Sequence, residues 1–246
     1  MSLLPLGFCK TTLPKDFFSG ACDMHSHLLP GVDDGFSTPE KTLEGLAFME
    51  RHGFKKIKMT PHFMKDYQQN TKAAIEEKYK ALLQQLGDSV ELELTLGGEY
   101  MLDSCFLDRF AEGFLALDKE GTLVLCETSY MMIDPMAKEM IYKIMLKGYQ
   151  PVIAHPERYM YASMPLYQRW KQKDYLLQLN LLSLGGAYGK TAKAKAHELL
   201  KEGLYDYVGT DLHRVERVDE LLASIRLSTK ETDQLLQLLE NNKQLA

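Results

Sequence analysis

The feature of this sequence that most restricts its fold is the regular alternation of short apolar segments with longer amphipathic segments. This alternation predicts repeated strand–helix units, in which parallel strands form a sheet and helices cover it. No linker-like, repeated or low-complexity segment interrupts the series. We therefore expect an α/β protein with a single barrel-like domain over residues 1–246, comprising a core at about 20–217 and C-terminal helices at 218–246. The seven predicted strands are residues 20–24, 55–60, 91–97, 122–127, 150–154, 175–180 and 206–210.

Signals for helix ends fit this alternation. Thr38 and Pro39 predict a helix start, because a threonine side chain caps free backbone N–H groups and proline is favoured in the first turn. Asp134 and Pro135 predict another start in the same way. The predicted helices cover residues 38–53, 71–87, 134–148 and about 191–203, and Ser228 with Glu231 forms a capping box that opens a last helix.

Composition argues against several classes of function. The chain carries 29 Lys and Arg against 34 Asp and Glu, a net charge of −5, without a run of five basic residues, so we expect no nucleic-acid partner. No apolar run approaches the roughly 20 residues that cross a bilayer, and Pro5 and Gly7 interrupt the apolar N-terminus, so we expect neither membrane insertion nor a secretory signal. The four cysteines show no disulfide or zinc-site spacing, which favours a reduced, cytoplasmic protein.

Six of the seven predicted strands deliver a His, Asp or Glu at or just beyond their carboxyl end. His25 and His27 share one face, because alternate residues of an extended chain point the same way, and a carboxylate, Asp33 or Asp34, follows in a turn-rich loop. In a barrel the carboxyl ends of the strands converge on one face, so we expect these groups to lie close together. The candidate ligands are His25, His27, Asp34, His62, Glu99, Glu127, His155, Asp211 and His213.

These nine candidates exceed the three protein ligands of a mononuclear catalytic zinc site, so the sequence predicts two or three metal ions. Imidazoles and carboxylates without a thiolate suit Mn²⁺, Fe or Zn²⁺. Four carboxylates against three divalent ions leave a net positive centre, which favours an anionic substrate. His52 and His197 fall outside the pattern and are expected to be structural or surface residues.

Arginines near the predicted ligands indicate what that anion is. Arg158 lies three residues after His155, and Arg214 and Arg217 follow His213. The rigid fork of an arginine beside a metal cluster suits bidentate binding of phosphate. The aromatic and methionine-rich segments 130–133 and 159–161 are predicted to be either core or an apolar rim that contacts a phosphotyrosyl peptide or a neighbouring subunit.

The motifs D-x-H-x-H at 23–27, T-P-H at 60–62, G-E-Y at 98–100, H-P-E-R at 155–158 and T-D-L-H at 210–213 resemble the PHP (polymerase and histidinol phosphatase) superfamily. More narrowly, H-S-H-x-L-P-G-x-D-D-G at 25–35, H-P-E-R-Y at 155–159 and S-L-x-G-x-Y-G at 183–189 are similar to the bacterial CpsB/CapC/YwqE group of tyrosine-protein phosphatases. The likeness covers about residues 23–217, nearly the whole predicted barrel.

This resemblance implies a distorted (β/α)7 TIM-like barrel, the PHP fold, with three divalent metal ions, usually Mn²⁺. It implies hydrolysis of phosphotyrosine on the C-terminal tail of a bacterial tyrosine kinase. This kinase is expected to regulate capsular or exopolysaccharide synthesis. Carried over by residue, it implies one metal on His25, His27, Glu99 and Asp211, a second on Glu99, Glu127 and His155, and a third on Asp34, His62 and His213. Arg158 matches the phosphate-binding arginine, and Arg217, with Arg214 in reserve, is assigned as the second.

The hypothesis from the sequence is a metal-dependent phosphomonoesterase in which a metal-bridging hydroxide attacks phosphorus in line with the leaving oxygen. None of the cysteines is followed six residues later by an arginine, as a C-x₅-R thiolate phosphatase requires. Three alternatives remain: a small-molecule phosphatase of the same superfamily, such as one acting on histidinol phosphate, a metal-dependent amidohydrolase, and a non-catalytic metal-binding regulatory protein. The sequence leaves open the metal and whether the chain forms a homo-oligomer.

Overall fold

The structure, a computed structural model, describes residues 10–245. The strands are β1 (Cys22–Ser26), β2 (Lys56–Met59), β3 (His62–Phe63), β4 (Glu93–Leu96), β5 (Glu99–Met101), β6 (Leu123–Glu127), β7 (Gln150–Ala154), β8 (Leu176–Asn180) and β9 (Tyr207–Gly209). The helices are α1 (Pro39–Arg51), α2 (Lys72–Leu86), α3 (Phe106–Glu112), α4 (Ala137–Leu146), α5 (Met164–Lys171), α6 (Leu181–Gly185), α7 (Gly189–Lys201), α8 (Val218–Ser224) and α9 (Thr229–Asn242).

The strands form a curled parallel sheet in two sections. One section has the order β1-β2-β4 and the other the order β3-β5-β6-β7-β8-β9, and the strand pairings in both are parallel. The end of β1 also meets the segment after β9, because His27 N donates to Leu212 O at 3.0 Å and Asp211 N donates to His25 O at 2.8 Å. The predicted α/β fold with a parallel sheet is confirmed, and the count of seven strand–helix units stays a prediction.

Two strand regions are each divided into two short strands. Pro61 separates β2 from β3, because proline cannot donate a hydrogen bond to the sheet ladder. Gly98 precedes β5, and a Cβ atom at this position would lie 2.7 Å from the Phe63 ring. After these breaks His62 and Glu99 begin new strands and pair with each other. The divisions therefore bring two polar side chains together where the sequence predicted only strand ends.

The predicted helix signals are mostly confirmed. Thr38 caps α1 through its side chain, and the capping box of Ser228 and Glu231 opens α9. The predicted start of α4 is wrong by a few residues, because Asp134 accepts a hydrogen bond from Met136 N at 2.7 Å in a turn and the helix begins only after it. Helix α7 begins slightly earlier than predicted, at residue 189.

Helix α9 covers the amino-terminal end of the sheet. Asn242 donates to Cys22 O at 2.9 Å on β1 and to Val208 O on β9, and it accepts from Val208 N at 3.2 Å. Leu235 and Leu238 of α9 are buried against the core. The opposite, carboxyl-terminal end of the sheet is left to the loops that carry the polar candidates. Within the described residues, each helix is too short or too polar to cross a membrane.

Candidate metal centre

The nine side chains predicted as metal ligands lie together at the carboxyl-terminal end of the sheet. They come from strand ends and the loops that follow, except that two of them begin the short strands β3 and β5. The ligand atoms of eight of them fall into three groups, each with all its atoms within 4.8 Å of one another. The groups are His25, His27, Glu99 and Asp211; then His27, Asp34, His62 and His213; then His62, Glu99 and Glu127.

His155 completes the third group. Its Nε2 atom lies 3.0 Å from Glu99 Oε1 and 3.2 Å from Glu127 Oε2. Glu99 therefore stands between two groups, as the resemblance implied, while His27 and His62 are also shared between neighbouring groups. The shared residues make one continuous cluster rather than three separate sites. Which residue holds which ion stays a prediction.

The donor atoms of this cluster fit divalent metal ions. Glu99 Oε2 lies 3.1 Å from His62 Nδ1, 3.3 Å from His25 Nε2 and 3.4 Å from His27 Nε2. Within residues 10–245, Glu99 Oε2 and His62 Nδ1 are buried yet make no hydrogen bond of acceptable geometry. A buried polar atom without a partner costs free energy, and a cation between these atoms would remove that cost. Imidazole and carboxylate donors suit Mn²⁺, Fe and Zn²⁺.

The histidines and carboxylates of the cluster shift one another's pKa values. Burial alone would raise the pKa values of Glu99 and Asp211, but the neighbouring histidines, His25 first among them, hold both well below their usual range. Burial and the charge of Arg158 would lower the pKa of His155, yet its hydrogen bonds to carboxylates raise that pKa to about 9. Positive charge on the imidazoles thus stabilises the buried carboxylates, and divalent ions would stabilise them in the same way.

Backbone strain marks two of the candidate ligands. His155 has a φ of 32° and Asp211 a φ of 52°, in the left-handed region that residues other than glycine seldom adopt. Such conformations cost free energy and persist where the surrounding structure fixes them, commonly at functional sites. In both residues, the unusual φ accompanies a side chain that is buried in the cluster.

Arg158 lies at the edge of the cluster. Its Nη1 donates to Asp211 Oδ2 at 2.7 Å, and its Cζ lies 4.3 Å from the ring centroid of Tyr130 and 4.0 Å from that of Tyr188. The side chain is mostly buried, with 15% of its surface exposed. A cavity of about 610 Å³ opens beside it, lined by Asp34, Arg158, Tyr188, Asp211, His213, Arg214 and Arg217 among others.

The two other arginines differ from Arg158 in their contacts. Arg217 lines the same cavity, but its side chain is 78% exposed and its Nε donates to Glu220 at 3.3 Å. Arg214 lines this cavity and also a neighbouring one of about 400 Å³ with Lys41. Both arginines therefore stay candidates for the second phosphate contact, and Arg158 alone of the three reaches a candidate ligand through a hydrogen bond within residues 10–245.

Comparisons with known proteins identify the family. A family model described as "Capsular polysaccharide synthesis, CpsB/CapC" matches residues 21–244. The chain belongs to the CpsB/CapC family. It is 30% identical over 204 residues to "Tyrosine-protein phosphatase YwqE" of Bacillus subtilis, covering 79% of this chain and 78% of that protein. It is 26% identical over 208 residues to "Putative tyrosine-protein phosphatase CapC" of Staphylococcus aureus, covering 78% and 77% respectively.

A solved structure supports the same family membership. Its title is "Crystal structures of YwqE from Bacillus subtilis and CpsB from Streptococcus pneumoniae, unique metal-dependent tyrosine phosphatases". The two chains share 28% sequence identity with a TM-score of 0.71, over 89% of this chain and 86% of that one. The CpsB/CapC resemblance inferred from the motifs is therefore confirmed, and the curled parallel sheet is the fold of this family.

Sequence reasoning missed several residues that orient the cluster of this CpsB/CapC chain. Asp33 was considered only as an alternative to Asp34, yet its buried Oδ2 lies 2.8 Å from His27 Nδ1. Gln178 Oε1 lies 3.0 Å from His25 Nδ1. Because amide and carboxylate oxygens accept hydrogen bonds, His25 and His27 each carry a proton on Nδ1 and present Nε2 to the cluster. Asn180 donates to Asp211 Oδ2 at 2.8 Å. The adjacent carboxylates at 33 and 34 gave a signal, whereas the neutral amides of β8 gave none.

The segments predicted to be core or rim divide between the two. Tyr159 is fully buried, whereas Met131, Met132 and Met160 are each about two-thirds exposed. Met160 N donates to Tyr130 O at 2.8 Å, which joins the two loops beside Arg158. We call these three methionines the methionine rim.

The two histidines predicted to be structural or surface residues lie outside the cluster. His52 Nε2 contacts Asp219 Oδ1 at 2.7 Å, and His197 Nδ1 contacts Glu231 Oε1 at 2.7 Å. Neither belongs to a group of candidate ligands within the described residues, which agrees with the prediction.

Proposed function

We propose that this protein is a metal-dependent protein-tyrosine phosphatase, a hydrolase of phosphate monoesters, that dephosphorylates a bacterial tyrosine kinase in capsular or exopolysaccharide synthesis. The observation that carries the proposal is the continuous His and carboxylate cluster with the Arg158 fork at its edge. The names of its relatives support the substrate class, because YwqE and CpsB are called tyrosine-protein phosphatases. The C-terminal tail of the kinase is the proposed site of dephosphorylation.

We assign three divalent ions to the cluster, with Mn²⁺ the proposed metal and Fe or Zn²⁺ the alternatives. His25, His27, Glu99 and Asp211 would hold one ion, Glu99, Glu127 and His155 the next, and Asp34, His62 and His213 the third. When bound, such ions lower the pKa of a coordinated water and stabilise negative charge on a phosphoryl group. The unpartnered Glu99 Oε2 and His62 Nδ1 support metal binding in the cluster.

The protein's own residues bind and orient the ester. Arg158 lines the cavity and would hold two phosphate oxygens, as a planar guanidinium does best. Arg217, with Arg214 in reserve, lines the same cavity and would supply the second contact to the phosphate. Asp33, Gln178 and the buried sheet fix the histidine rings, so the cluster needs little reorganisation when substrate enters.

Features around the cavity favour a polypeptide substrate over a small ester. The methionine rim exposes flexible apolar side chains on the two loops that carry Tyr130 and Arg158, and such side chains adapt to varied peptide surfaces. We propose that the rim contacts residues beside the phosphotyrosine.

The free thiols of Cys22, Cys105 and Cys126 support the proposed cytoplasmic location. The seven-unit barrel, the single domain with its C-terminal helices, and a homo-oligomer remain part of the proposal.

The experiment compares substrates on the Mn²⁺-loaded protein. We expect kcat/KM for a phosphotyrosine peptide from a kinase tail to exceed that for histidinol phosphate by more than about tenfold. His155→Ala should remove both activities, because it deletes a buried nitrogen between two carboxylates, and His197→Ala, outside the cluster, should remove neither. A tenfold preference for histidinol phosphate would replace the proposal with the small-molecule phosphatase. Full activity of His155→Ala would refute the metal centre.

A further inference from the structure

Tyr188, in the S-L-x-G-x-Y-G motif, places its ring against the guanidinium of Arg158. The motif begins inside α6, which follows β8, and Tyr188 lies in the turn between α6 and α7. Gly186 has a φ of 97° and Gly189 a φ of 87°, conformations that glycine adopts at little cost. The two glycines therefore let the chain turn on both sides of Tyr188 and bring its ring over the guanidinium, 4.0 Å from Arg158 Cζ.

A second tyrosine approaches the same guanidinium from a different loop. Tyr130 follows β6, and its ring centroid lies 4.3 Å from Arg158 Cζ. The two hydroxyls contact candidate ligands: Tyr130 donates to Glu127 Oε2 at 3.1 Å, and Tyr188 donates to Asp211 Oδ2 at 3.4 Å. Each tyrosine thus contacts both the arginine and a candidate metal ligand, and the proposed function gives neither tyrosine a role.

We propose that Tyr130 and Tyr188 form an aromatic clamp that fixes the plane of Arg158 and thereby sets the affinity of the site for phosphate. The inference rests on the proposed function and concerns positioning residues, not residues that touch the ester. A guanidinium stacked on aromatic rings loses rotational freedom and presents its N–H edges. Nη1 donates to Asp211, and because Arg158 also lines the cavity, its remaining N–H groups would bind the phosphate oxygens there.

The ring and the hydroxyl of Tyr188 are expected to differ in importance. Asp211 Oδ2 already accepts from Arg158 at 2.7 Å and from Asn180 at 2.8 Å, so the 3.4 Å contact with Tyr188 adds little. Tyr188→Phe keeps the ring and should leave phosphate affinity within about threefold, whereas Tyr188→Leu removes the ring and should weaken it about tenfold.

The test is the dissociation constant of orthophosphate for the Mn²⁺-loaded protein, measured by isothermal titration calorimetry. Tyr188→Phe and Tyr188→Leu are compared in the natural sequence and in an Arg158→Ala background. Tyr142→Leu is the matched control, because Tyr142 is 60% exposed on α4. We expect the loss caused by Tyr188→Leu to disappear in the Arg158→Ala background, since the ring acts through the arginine. Bound Mn²⁺ should stay equal to that of the unmodified protein.

A KM and kcat split on 4-nitrophenyl phosphate gives an independent readout, with KM rising and kcat nearly unchanged for Tyr188→Leu. The proposal is overturned if Phe and Leu weaken phosphate equally, if Leu has its full effect without Arg158, if Leu changes nothing, or if the unmodified protein binds no phosphate. Failure of the proposed function looks different. Phosphate would then bind with the expected Tyr188 dependence, while phosphotyrosine peptide would not be hydrolysed.

Discussion

Replacing Asp33 with asparagine tests whether the histidines are held in the form that binds metal. The Asp33 carboxylate is buried and receives three contacts: His27 Nδ1 at 2.8 Å, His62 N at 3.1 Å and Gly35 N at 3.0 Å. Burial would raise the pKa of this carboxyl, but the charge of His27 outweighs it and keeps the pKa below its usual value. Asp33 is therefore an anion that fixes the Nδ1–H form of His27, leaving Nε2 free for a metal.

The expected loss of Mn²⁺ affinity in Asp33→Asn follows from these contacts. The asparagine oxygen can keep the Gly35 contact, but its NH₂ then faces two donors, so His62 N loses its partner at a cost of about 1–3 kcal/mol. His27 can accept from the amide only by moving its proton to Nε2, the nitrogen aimed at Glu99 and Asp211. Loss of such an orienting partner typically weakens metal binding about 10–100-fold, which is about 1.4–2.8 kcal/mol.

The assay is calorimetric titration of metal-stripped Asp33→Asn with Mn²⁺, together with initial rates on phosphotyrosine peptide. Asp219→Asn is the matched control, because Asp219 also pairs with a histidine at 2.7 Å but is 63% exposed. An exposed ion pair contributes little to stability, and the pair of Asp219 with His52 lies outside the cluster. The Mn²⁺ affinity of Asp219→Asn should therefore change less than about twofold. Wild-type Mn²⁺ affinity in Asp33→Asn, or an equal loss in Asp219→Asn, would show that Asp33 does not hold His27 in the form that binds metal.

Three further predictions concern the phosphate contact of Arg158, the peptide contact of the methionine rim and the pH dependence of metal binding. Arg158→Lys should raise KM for the peptide about tenfold with bound metal unchanged, because a lysine cannot form the bidentate contact; an unchanged KM would contradict this. Met131→Gln with Met160→Gln should lower kcat/KM for the peptide about three- to tenfold and spare 4-nitrophenyl phosphate, so equal losses on both substrates would exclude a peptide-contacting rim. Mn²⁺ binding should tighten as pH rises from 7 toward 9, because His155, with its pKa raised to about 9, must lose a proton to bind metal. Titrations in two buffers of different ionisation enthalpy measure that proton release, and identical apparent enthalpies would oppose it.

The candidate ligands were predictable because strand geometry determines their placement. His25 and His27 alternate on one strand, and parallel strands deliver their carboxyl ends to one edge, so position in the sequence translated directly into proximity. The second strand was predicted to end at residue 60, next to Pro61, but the short strand that resumes at His62 was not predicted. The start of α4 was not predicted correctly, because Asp134 can cap a helix or form a turn, and only the surrounding chain decides between them.

The residues that orient the centre were harder to find. Gln178 and Asn180 are neutral amides whose role depends on which histidine or carboxylate packs opposite, a contact between distant parts of the chain. Tyr188 lies 30 residues after Arg158, and its stacking on the guanidinium depends on how the turn after α6 folds. Local pattern identifies groups with intrinsic chemistry, whereas groups that act through others become visible only when tertiary packing is known.

The most direct test is to measure bound Mn²⁺ per chain and phosphotyrosine-peptide hydrolysis in the same samples, from metal-stripped protein to full reconstitution. We expect no hydrolysis in the stripped protein and a rate that rises with bound metal until the cluster is filled at three ions per chain. Full hydrolysis by protein with no bound metal would show that the His and carboxylate cluster does not act as a metal centre.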